Sequence, residues 1–498
     1  MPRKPKPKNQ LSAGQRAALY LEQQEEKLRA MNEGEDAEVE EAKPQRKKKT
    51  PKPKPECAIV RVDMATYMPR AQKLHGMCNG PVSYDSNISG LFAGMKTPYV
   101  RNSNSDTAIS KYAFDISRIF PDRNADDSDP QSYNFSLTDK YMIGIYNSGA
   151  ECIYRFGDSD RDASWAFQDP EKWVRVCLRI IKHYNDYWAN GFAYGIKVFE
   201  ICPLGSFSSL DPKADMFALY ERVARSIKLI DSEYLVGGMS FDGYCDRARE
   251  FLRFCAQKSL PLDFISITEL GDSVEDVCED VEKLTSIIMN LGLTDTYVMI
   301  SEWNYVKTFE GKPSAQTVIK NESGEYSSEC KALFDAQRSI EGAAFCSSLL
   351  VALSGMERVK YACYYDAQPA ISKFCGIADR YGNPERPYYA FCAYSAIAKL
   401  ERGVAAMSQQ EPDMRHTGVW AMAGESDGKY TVMLSCFDGC QQIDLRLENI
   451  PDDVYSAEIY MSDGVKNMEL CDTVALAGVK KRLLLSVSKY GYIQIKIS

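Results

Sequence analysis

The chain has 498 residues, which is long enough for two or three domains that each bury a core. Apolar residues make up 45% and charged residues 26%, and no uninterrupted apolar run is long enough to predict a membrane span. Residues 1–57 carry 14 Lys+Arg against 10 Asp+Glu, whereas the remainder carries 46 against 59, and this acidic body argues against broad nucleic-acid binding by the main domain.

Residues 1–56 form a Lys/Pro-rich arm that lacks enough apolar surface to fold alone, so we expect it to be disordered apart from a short helix over 11–31. Its start lacks the apolar core of a secretory signal, which favours a cytoplasmic protein. The basic run 46–54 has two interpretations that the sequence leaves open. It is either a solvated linker or a patch that serves as a localisation signal or binds a polyanion or protein partner.

Eight short apolar runs follow the arm, and amphipathic stretches separate most of them. The runs are 73–78, 97–102, 151–157, 197–202, 234–239, 262–267, 297–303 and 360–366. The helical stretches are 170–187, 213–230, 245–257, 274–290, 330–353 and 387–401. This alternation predicts an α/β fold, a (β/α)₈ TIM barrel over residues 57–405.

The last part of the chain has a different pattern. Segments such as "KYTVMLSCF" and "QIDLRL" alternate apolar and polar residues between short turns. They predict a C-terminal antiparallel β-sandwich over residues 406–498, and the run 57–64 is a candidate to join its sheet.

Metal and cofactor signals are weak. The 16 cysteines contain no CxxC pair and the chain has 3 histidines, so we expect reduced cysteines and no zinc site. The acidic loop 122–130 lacks the glycine of a calcium-binding EF-hand, and Tyr133 stands where its bidentate glutamate would be. We therefore predict no metal and no cofactor.

The seventh predicted strand ends in Ser-Glu302-Trp303-Asn304. Reacting groups of such barrels lie at the carboxyl ends of strands, and sugar hydrolysis uses two carboxylates with aromatic rings against the sugar. Glu302 is therefore a candidate nucleophile, with Trp303 and Asn304 as candidate substrate contacts. The alternative is a structural carboxylate bound to an arginine or a backbone amide.

The blocks "HGMCNGP", "TPYVRNSNS", "IYRFG", "DFISIT", "ISEWN" and "RYGNPERPYYAF" occur in this order from about residue 70. Together they resemble glycoside hydrolase family 39, the β-xylosidase and α-L-iduronidase family. The resemblance implies a (β/α)₈ barrel that removes single sugars, often xylose, with retention of configuration through a covalent intermediate.

Carried over by position, the nucleophile of the family falls on Glu302. The acid/base of the family is the glutamate of a "WNEP" motif at the end of strand four, and Leu204 stands at that position here. Glu200, earlier on the same strand, matches a glutamate that helps to build the barrel interior. We therefore interpret Glu200 as a buried, partnered carboxylate, and we also count it among the candidate substrate-binding residues.

Other positions depart from the family pattern as well. Ser103 and Asn104 replace a His-Asp pair after the arginine of strand two. Thr268, followed by Glu269, replaces a sugar-facing histidine on strand six. These four residues are candidate substrate contacts in a rebuilt pocket.

Three functions follow from these changes. The first is a carbohydrate-directed protein with weak or no hydrolase activity, because leucine cannot protonate a leaving group. The second is an active retaining β-glycosidase whose acid/base has moved, for instance to Glu269 or Asp211. The third is a non-catalytic scaffold that docks through its basic N-terminal arm.

Overall fold

The structure is a computed structural model. It describes residues 57–82, 87–102, 113–158, 165–204, 213–307, 328–367, 376–408 and 418–498. The predicted N-terminal arm, residues 1–56, and its basic run lie outside the described residues.

Eight parallel strands close into a barrel, which confirms the predicted fold class. The first strand of the chain, β1 (Ala58–Met68), belongs to a separate sheet. The barrel strands follow in chain order: β2 (Gly76–Cys78), β3 (Tyr99–Arg101), β4 (Glu151–Asp158), β5 (Val198–Leu204), β6 (Leu235–Asp242), β7 (Phe264–Gly271), β8 (Tyr297–Tyr305) and β9 (Val359–Tyr364). Each contains or overlaps one of the eight apolar runs.

Helices surround this barrel. They are α1 (Ser89–Met95), α2 (Ile116–Ile119), α3 (Ser136–Asn147), α4 (Pro170–Asn185), α5 (Lys213–Ile230), α6 (Asp246–Gln257), α7 (Val274–Asn290), α8 (Ser328–Arg338), α9 (Ile340–Ser354) and α10 (Arg386–Ala398). The prediction of a single helix over 330–353 is wrong, because the helix is interrupted at Ser339. This residue has extended backbone angles, and its side chain accepts a hydrogen bond from the backbone N–H of Glu341, so it caps α9.

Side-chain caps explain where two of the longer helices begin. Asp169 accepts a hydrogen bond from the N–H of Lys172 at 3.1 Å, and Pro170 occupies the first helical position of α4. Ser273 caps α7 in the same way through the N–H of Asp276 at 3.1 Å. Both signals are present in the sequence, and both helices begin where it predicts.

The second layer is a curled mixed sheet of nine strands. Its later strands are β10 (Arg402–Ser408), β11 (Val419–Ser426), β12 (Lys429–Phe437), β13 (Gln442–Glu448), β14 (Ser456–Ser462), β15 (Glu469–Ala475), β16 (Lys480–Ser486) and β17 (Tyr490–Ile497). The order is β15-β14-β17-β12-β11-β10-β1-β13-β16. Neighbouring strands of this sheet are antiparallel, except that β1 runs parallel to β13. The strand β10 begins at Arg402, within the range predicted for the barrel.

The barrel and the sheet share one hydrophobic core. Helix α9 is buried along most of its length between the two layers. The hydroxyls of Ser347 and Ser348 lie 2.5 and 2.7 Å from the hydroxyl of Ser435 on β12. Gln494 on β17 donates to the carbonyl of Ala393 on α10 at 2.9 Å. Buried polar groups that are hydrogen-bonded in this way fix how the two layers pack. Within the described part of the chain, no helix is long and apolar enough to cross a membrane.

Candidate active site

A buried arginine joins three strands at the carboxyl end of the barrel. Arg101 is the last residue of β3, and its side chain is 1% exposed. Its Nε donates to Oε2 of Glu200 on β5 at 2.5 Å, and its Nη1 donates to Oε1 of Glu302 on β8 at 2.7 Å. One guanidinium therefore holds both carboxylates, and it fixes the orientation of Glu302.

The two carboxylates keep Arg101 charged despite its burial. Burial alone would lower the pKa of this guanidinium, but the negative charges of Glu200 and Glu302 outweigh burial and raise the pKa above its ordinary value. The charges depend on one another, because removal of one partner from a buried ion pair leaves an uncompensated charge. Sequence reasoning did not name Arg101 as a site residue, although its place at a strand end was a signal.

Glu200 and Glu302 differ in their access to solvent. Glu200 is completely buried, which confirms its interpretation as a buried, partnered carboxylate. Its predicted contact with substrate is wrong, since a side chain without exposed surface cannot touch a ligand. Glu302 is 21% exposed.

A β-bulge turns Glu302 into the barrel. Along β8, Met299 packs in the barrel interior and Ile300 packs outside it, in the core beneath the helices. The register with β7 then slips, because Ile267 pairs with Ile300 but Thr268 pairs with Glu302. Ser301 is the extra residue, and a bulge of this kind changes which face of the sheet the next side chain takes.

The residues after Glu302 have structural contacts instead of the predicted substrate contacts. Trp303 is fully buried, with its ring 5.4 Å from that of Tyr364 and 6.0 Å from that of Phe391. Asn304 is also fully buried, and it donates to the carbonyl of Tyr365 at 2.5 Å. A buried ring cannot stack on a sugar and a buried amide cannot bind one, so both predictions are corrected.

A cluster of hydroxyl groups lies beside Glu302. The Oγ of Ser240 on β6 is 2.8 Å from the Oγ of Ser301 and 3.2 Å from the Oγ1 of Thr268. Ser301 also donates to the carbonyl of Ile267 at 2.9 Å. The structure thus places Thr268 next to the nucleophile position, in a setting of neutral donors and acceptors. Sequence reasoning missed Ser240, because an isolated serine carries no signal.

Glu269 lies on the other side of the barrel wall. Its Oε1 is 3.3 Å from the position that a Cβ on Gly243 would take, and Asp280 of α7 borders the same spot. Burial raises the pKa of Glu269, and the charges of Asp280, Asp242 and Asp276 raise it further. Glu269 thus faces the helix layer, an orientation that does not favour its predicted roles as a substrate contact or as the replacement for the acid/base.

Some predicted site residues fall outside the description. The strand β5 ends at Leu204, whose backbone pairs with Asp158 of β4. Ser103, Asn104, Asp211 and the side chain of Leu204 are not among the described parts of the structure. Among the residues that are described, no group of three or more His, Cys, Asp or Glu side chains could hold a metal ion.

The chain matches no protein-family model. A curated β-xylosidase from Geobacillus stearothermophilus is 32% identical to it over 108 residues, which is 20% of this chain and 20% of the relative. The match therefore spans about a fifth of the length of that relative.

Solved structures match over most of the chain. A glucosidase from Croceicoccus marinus has a TM-score of 0.68 at 19% identity and covers 89% of this chain and 99% of its own. A glycoside hydrolase family 39 enzyme from Xanthomonas axonopodis pv. citri has a TM-score of 0.63 at 14% identity, with 91% and 99% covered. A family 51 α-L-arabinofuranosidase from Thermotoga petrophila has a TM-score of 0.58 at 12% identity, with 89% and 100% covered.

At these identities the structural likeness concerns the fold. The local match to a β-xylosidase and the family 39 structure among the neighbours fit the resemblance that the motifs indicate. The chain thus resembles glycoside hydrolase family 39 in sequence, and its barrel with an appended β-sheet has the fold of these solved structures.

Proposed function

We propose that this protein acts on carbohydrate at the carboxyl end of its barrel, with Glu302 as the nucleophile and without an acid/base at position 204. The observation that carries the proposal is the geometry of Glu302. It is turned inward by a bulge, held by Arg101 at 2.7 Å, and 21% exposed. A nucleophile that is oriented by a fixed partner and still reachable is what covalent sugar transfer requires.

The first chemical step needs two events at the anomeric carbon. A bond forms from Glu302 to this carbon while the bond to the leaving oxygen breaks, and the leaving oxygen normally takes a proton from the second carboxylic acid. Leucine has no proton to give. The step is therefore slow for sugar leaving groups and feasible for aryl oxides, which depart as stable anions.

Neither Glu200 nor Glu269 is placed to replace the missing acid. Glu200 has no exposed surface and is bound to Arg101. Glu269 faces α7 on the outer side of the barrel wall. This supports weak hydrolysis of ordinary glycosides over an active enzyme with its acid/base at Glu269.

The name of the curated relative suggests a first substrate. That relative is a β-xylosidase, and we propose β-xylosides as the class to test on this chain. Glu302, Thr268 and the hydroxyl of Ser240 are the groups that we propose around the first sugar.

The proposal is tested by trapping the covalent intermediate. The protein is mixed with 2,4-dinitrophenyl β-xyloside, and intact-mass spectrometry should show one added xylosyl group that azide removes. Glu302→Gln keeps the size of the side chain and its hydrogen bond to Arg101, but it should release dinitrophenol at least about 10³-fold more slowly.

Two outcomes would contradict this assignment. Labelling at a residue other than Glu302, located by peptide mapping, would give the nucleophile role to that residue. Full activity of the Glu302→Gln variant on the same substrate would remove the proposal altogether.

A further inference from the structure

The end of the barrel opposite to Glu302 carries two adjoining cavities, which we call the basal cleft. The first has a volume of ≈ 570 Å³ and is lined by Tyr146, Tyr194, Lys197 and neighbouring residues. The second has a volume of ≈ 770 Å³ and is lined by residues at the starts of β3 and β9. Both include Gly149 and Glu151, so they meet at the start of β4. Each volume lies in the range of about 300–1,000 Å³ that is typical of ligand sites.

An aromatic stack borders the first cavity. The rings of Phe192 and Tyr194 are 4.6 Å apart at 14°, and those of Tyr194 and Tyr146 are 4.4 Å apart at 25°. Tyr146 ends the stack and is 56% exposed. A ring held by its neighbours loses little freedom when a ligand covers its open face, which makes Tyr146 a prepared platform for the apolar C–H face of a sugar.

The second cavity is basic, although the whole chain has a formal net charge of −9. Its cationic lining residues are Arg70, Lys73, Lys96, Lys360 and Lys399. Glu151 is the carboxylate in the lining of this cavity. Arg70 donates hydrogen bonds to the backbone carbonyls of Ala398 and Lys399, but these neutral acceptors do not cancel its positive charge. A concave surface with this excess of cations concentrates anions.

Two buried polar groups in the wall of the second cavity have no partner among the described residues. His75 is 2% exposed, and its Nε2 lies 3.1 Å from the carbonyl of Lys96, which leaves Nδ1 without a hydrogen bond. Thr97 is 5% exposed, and its Oγ1 is likewise unpaired. Unpaired buried polar groups are rare and call for a ligand or an ordered water. They are a second indication, independent of the positive charge of the lining, that the second cavity binds a polar ligand.

We propose that the basal cleft is a second carbohydrate-binding site, which takes an oligosaccharide that bears carboxylate groups. One sugar ring lies on Tyr146, and a carboxylate one or two sugars away lies among the lysines of the second cavity. The choice of a saccharide as the ligand rests on the proposed function, whereas the site is separate from Glu302. Such a site would hold the protein on an acidic polysaccharide while the other end of the barrel meets the chain to be cut.

The test measures binding by calorimetry to the full chain carrying Glu302→Gln, so that no probe is consumed. The probes are xylotriose and a xylotriose with a glucuronic acid branch. We expect the acidic probe to bind about tenfold more tightly at low salt, and we expect the difference to shrink as salt rises from about 0.05 M to about 0.5 M.

Variants of the cleft separate its two parts. Tyr146→Ala should weaken both probes about five- to tenfold, and Tyr146→Phe should keep the binding because the ring remains. Lys96→Gln together with Lys399→Gln should weaken the acidic probe alone. Tyr455→Ala removes another exposed tyrosine, 68% exposed, which lies just before β14 and lines neither cavity, and it should change nothing.

Unchanged binding of both probes to the Tyr146→Ala and lysine variants would overturn the proposal. Equal affinity for the neutral and the acidic probe would overturn the part that concerns carboxylate groups. Neither result would affect labelling of Glu302 by an aryl xyloside, so failure here is distinguishable from failure of the proposed function.

Discussion

Glu302 and Glu269 lie on neighbouring strands, yet their side chains have opposite environments. In the register of β7 and β8, Glu269 pairs with Trp303, one position beyond the pair of Thr268 and Glu302. Glu302 faces the barrel interior and bonds Arg101, while Glu269 faces α7 among other carboxylates. The same type of side chain is thus bound to a cation on one strand and lies, partly buried, among other acids on the next.

The difference has two causes, which are the face of the sheet that each side chain takes and the charged groups that it meets there. Side chains alternate along a strand, so one residue of offset changes the face of the sheet. The bulge at Ser301 adds that residue on β8 and not on β7. The charged groups beside the two carboxylates also differ. Glu302 bonds the guanidinium of Arg101, whereas Glu269 lies beside the carboxylates of Asp280 and Asp242.

The sharpest way to compare possible acid positions is to supply an acid at position 204. Leu204→Glu should raise the turnover of xylobiose by about 10²–10⁴-fold, because general acid catalysis typically contributes that much. The burst of dinitrophenol from the first turnover of the dinitrophenyl xyloside should change little, since its leaving group needs no proton. Initial rates on xylobiose and the rate of this burst, each compared between variant and parent, check the prediction.

Leu204→Gln is the matched control, with a similar shape and no proton to donate, and it should give no gain on xylobiose. Glu269→Gln should leave both rates unchanged. Brisk hydrolysis of xylobiose by the parent protein that is lost in Glu269→Gln would reverse our assignment of these two positions.

Removal of Arg101 tests the partner of Glu302. Arg101→Met leaves Glu200 buried without its cation, and we expect the free energy of unfolding to fall by about 3–5 kcal/mol. Urea unfolding followed by circular dichroism measures this change. The double variant Arg101→Met with Glu200→Gln should recover a large part of the loss, because no buried charge then remains unpaired. A single variant as stable as the parent would show that the ion pair does not hold the strands.

Glu269→Gln tests the other side of the comparison. The pKa of Glu269 is raised by burial and by its acidic neighbours, so the unfolded chain gives up this proton at lower pH than the folded protein does. The parent therefore loses stability as the pH rises from about 4.3, the ordinary glutamate value, through the raised pKa. The variant lacks this loss and should be more stable at neutral pH by about 1.4 kcal/mol for each unit of elevation.

Unfolding free energies at pH 4 and pH 7 check this prediction, with the difference between variant and parent close to zero at the lower pH. Asp280→Asn is the control, because it removes a carboxylate that raises the pKa of Glu269 and should recover part of the same gain. A variant that is less stable than the parent at pH 7 would mean that Glu269 is ionised and stabilised there.

The pattern of apolar runs was enough to predict the barrel. Each of its strands is short and nearly continuous in apolar residues, which is the composition of a parallel sheet buried on both faces. The strand β15 was missed because most of its side chains are exposed, so the alternation that marks a half-buried strand is absent. The break at Ser339 was missed because the residues on both sides favour a helix, and a capping serine within such a stretch is a weak signal.

The sequence by itself determined the (β/α)₈ architecture, the position of Glu302 at the end of a strand, and the leucine at position 204. Only the tertiary structure decided which neighbours of Glu302 face the site. Trp303 and Asn304 turned out to be buried, Glu269 faces away, and Arg101 joins two carboxylates from strands far apart in the chain. The physical reason is that composition fixes local structure, whereas a one-residue bulge and a contact between distant strands leave no periodic trace in the sequence.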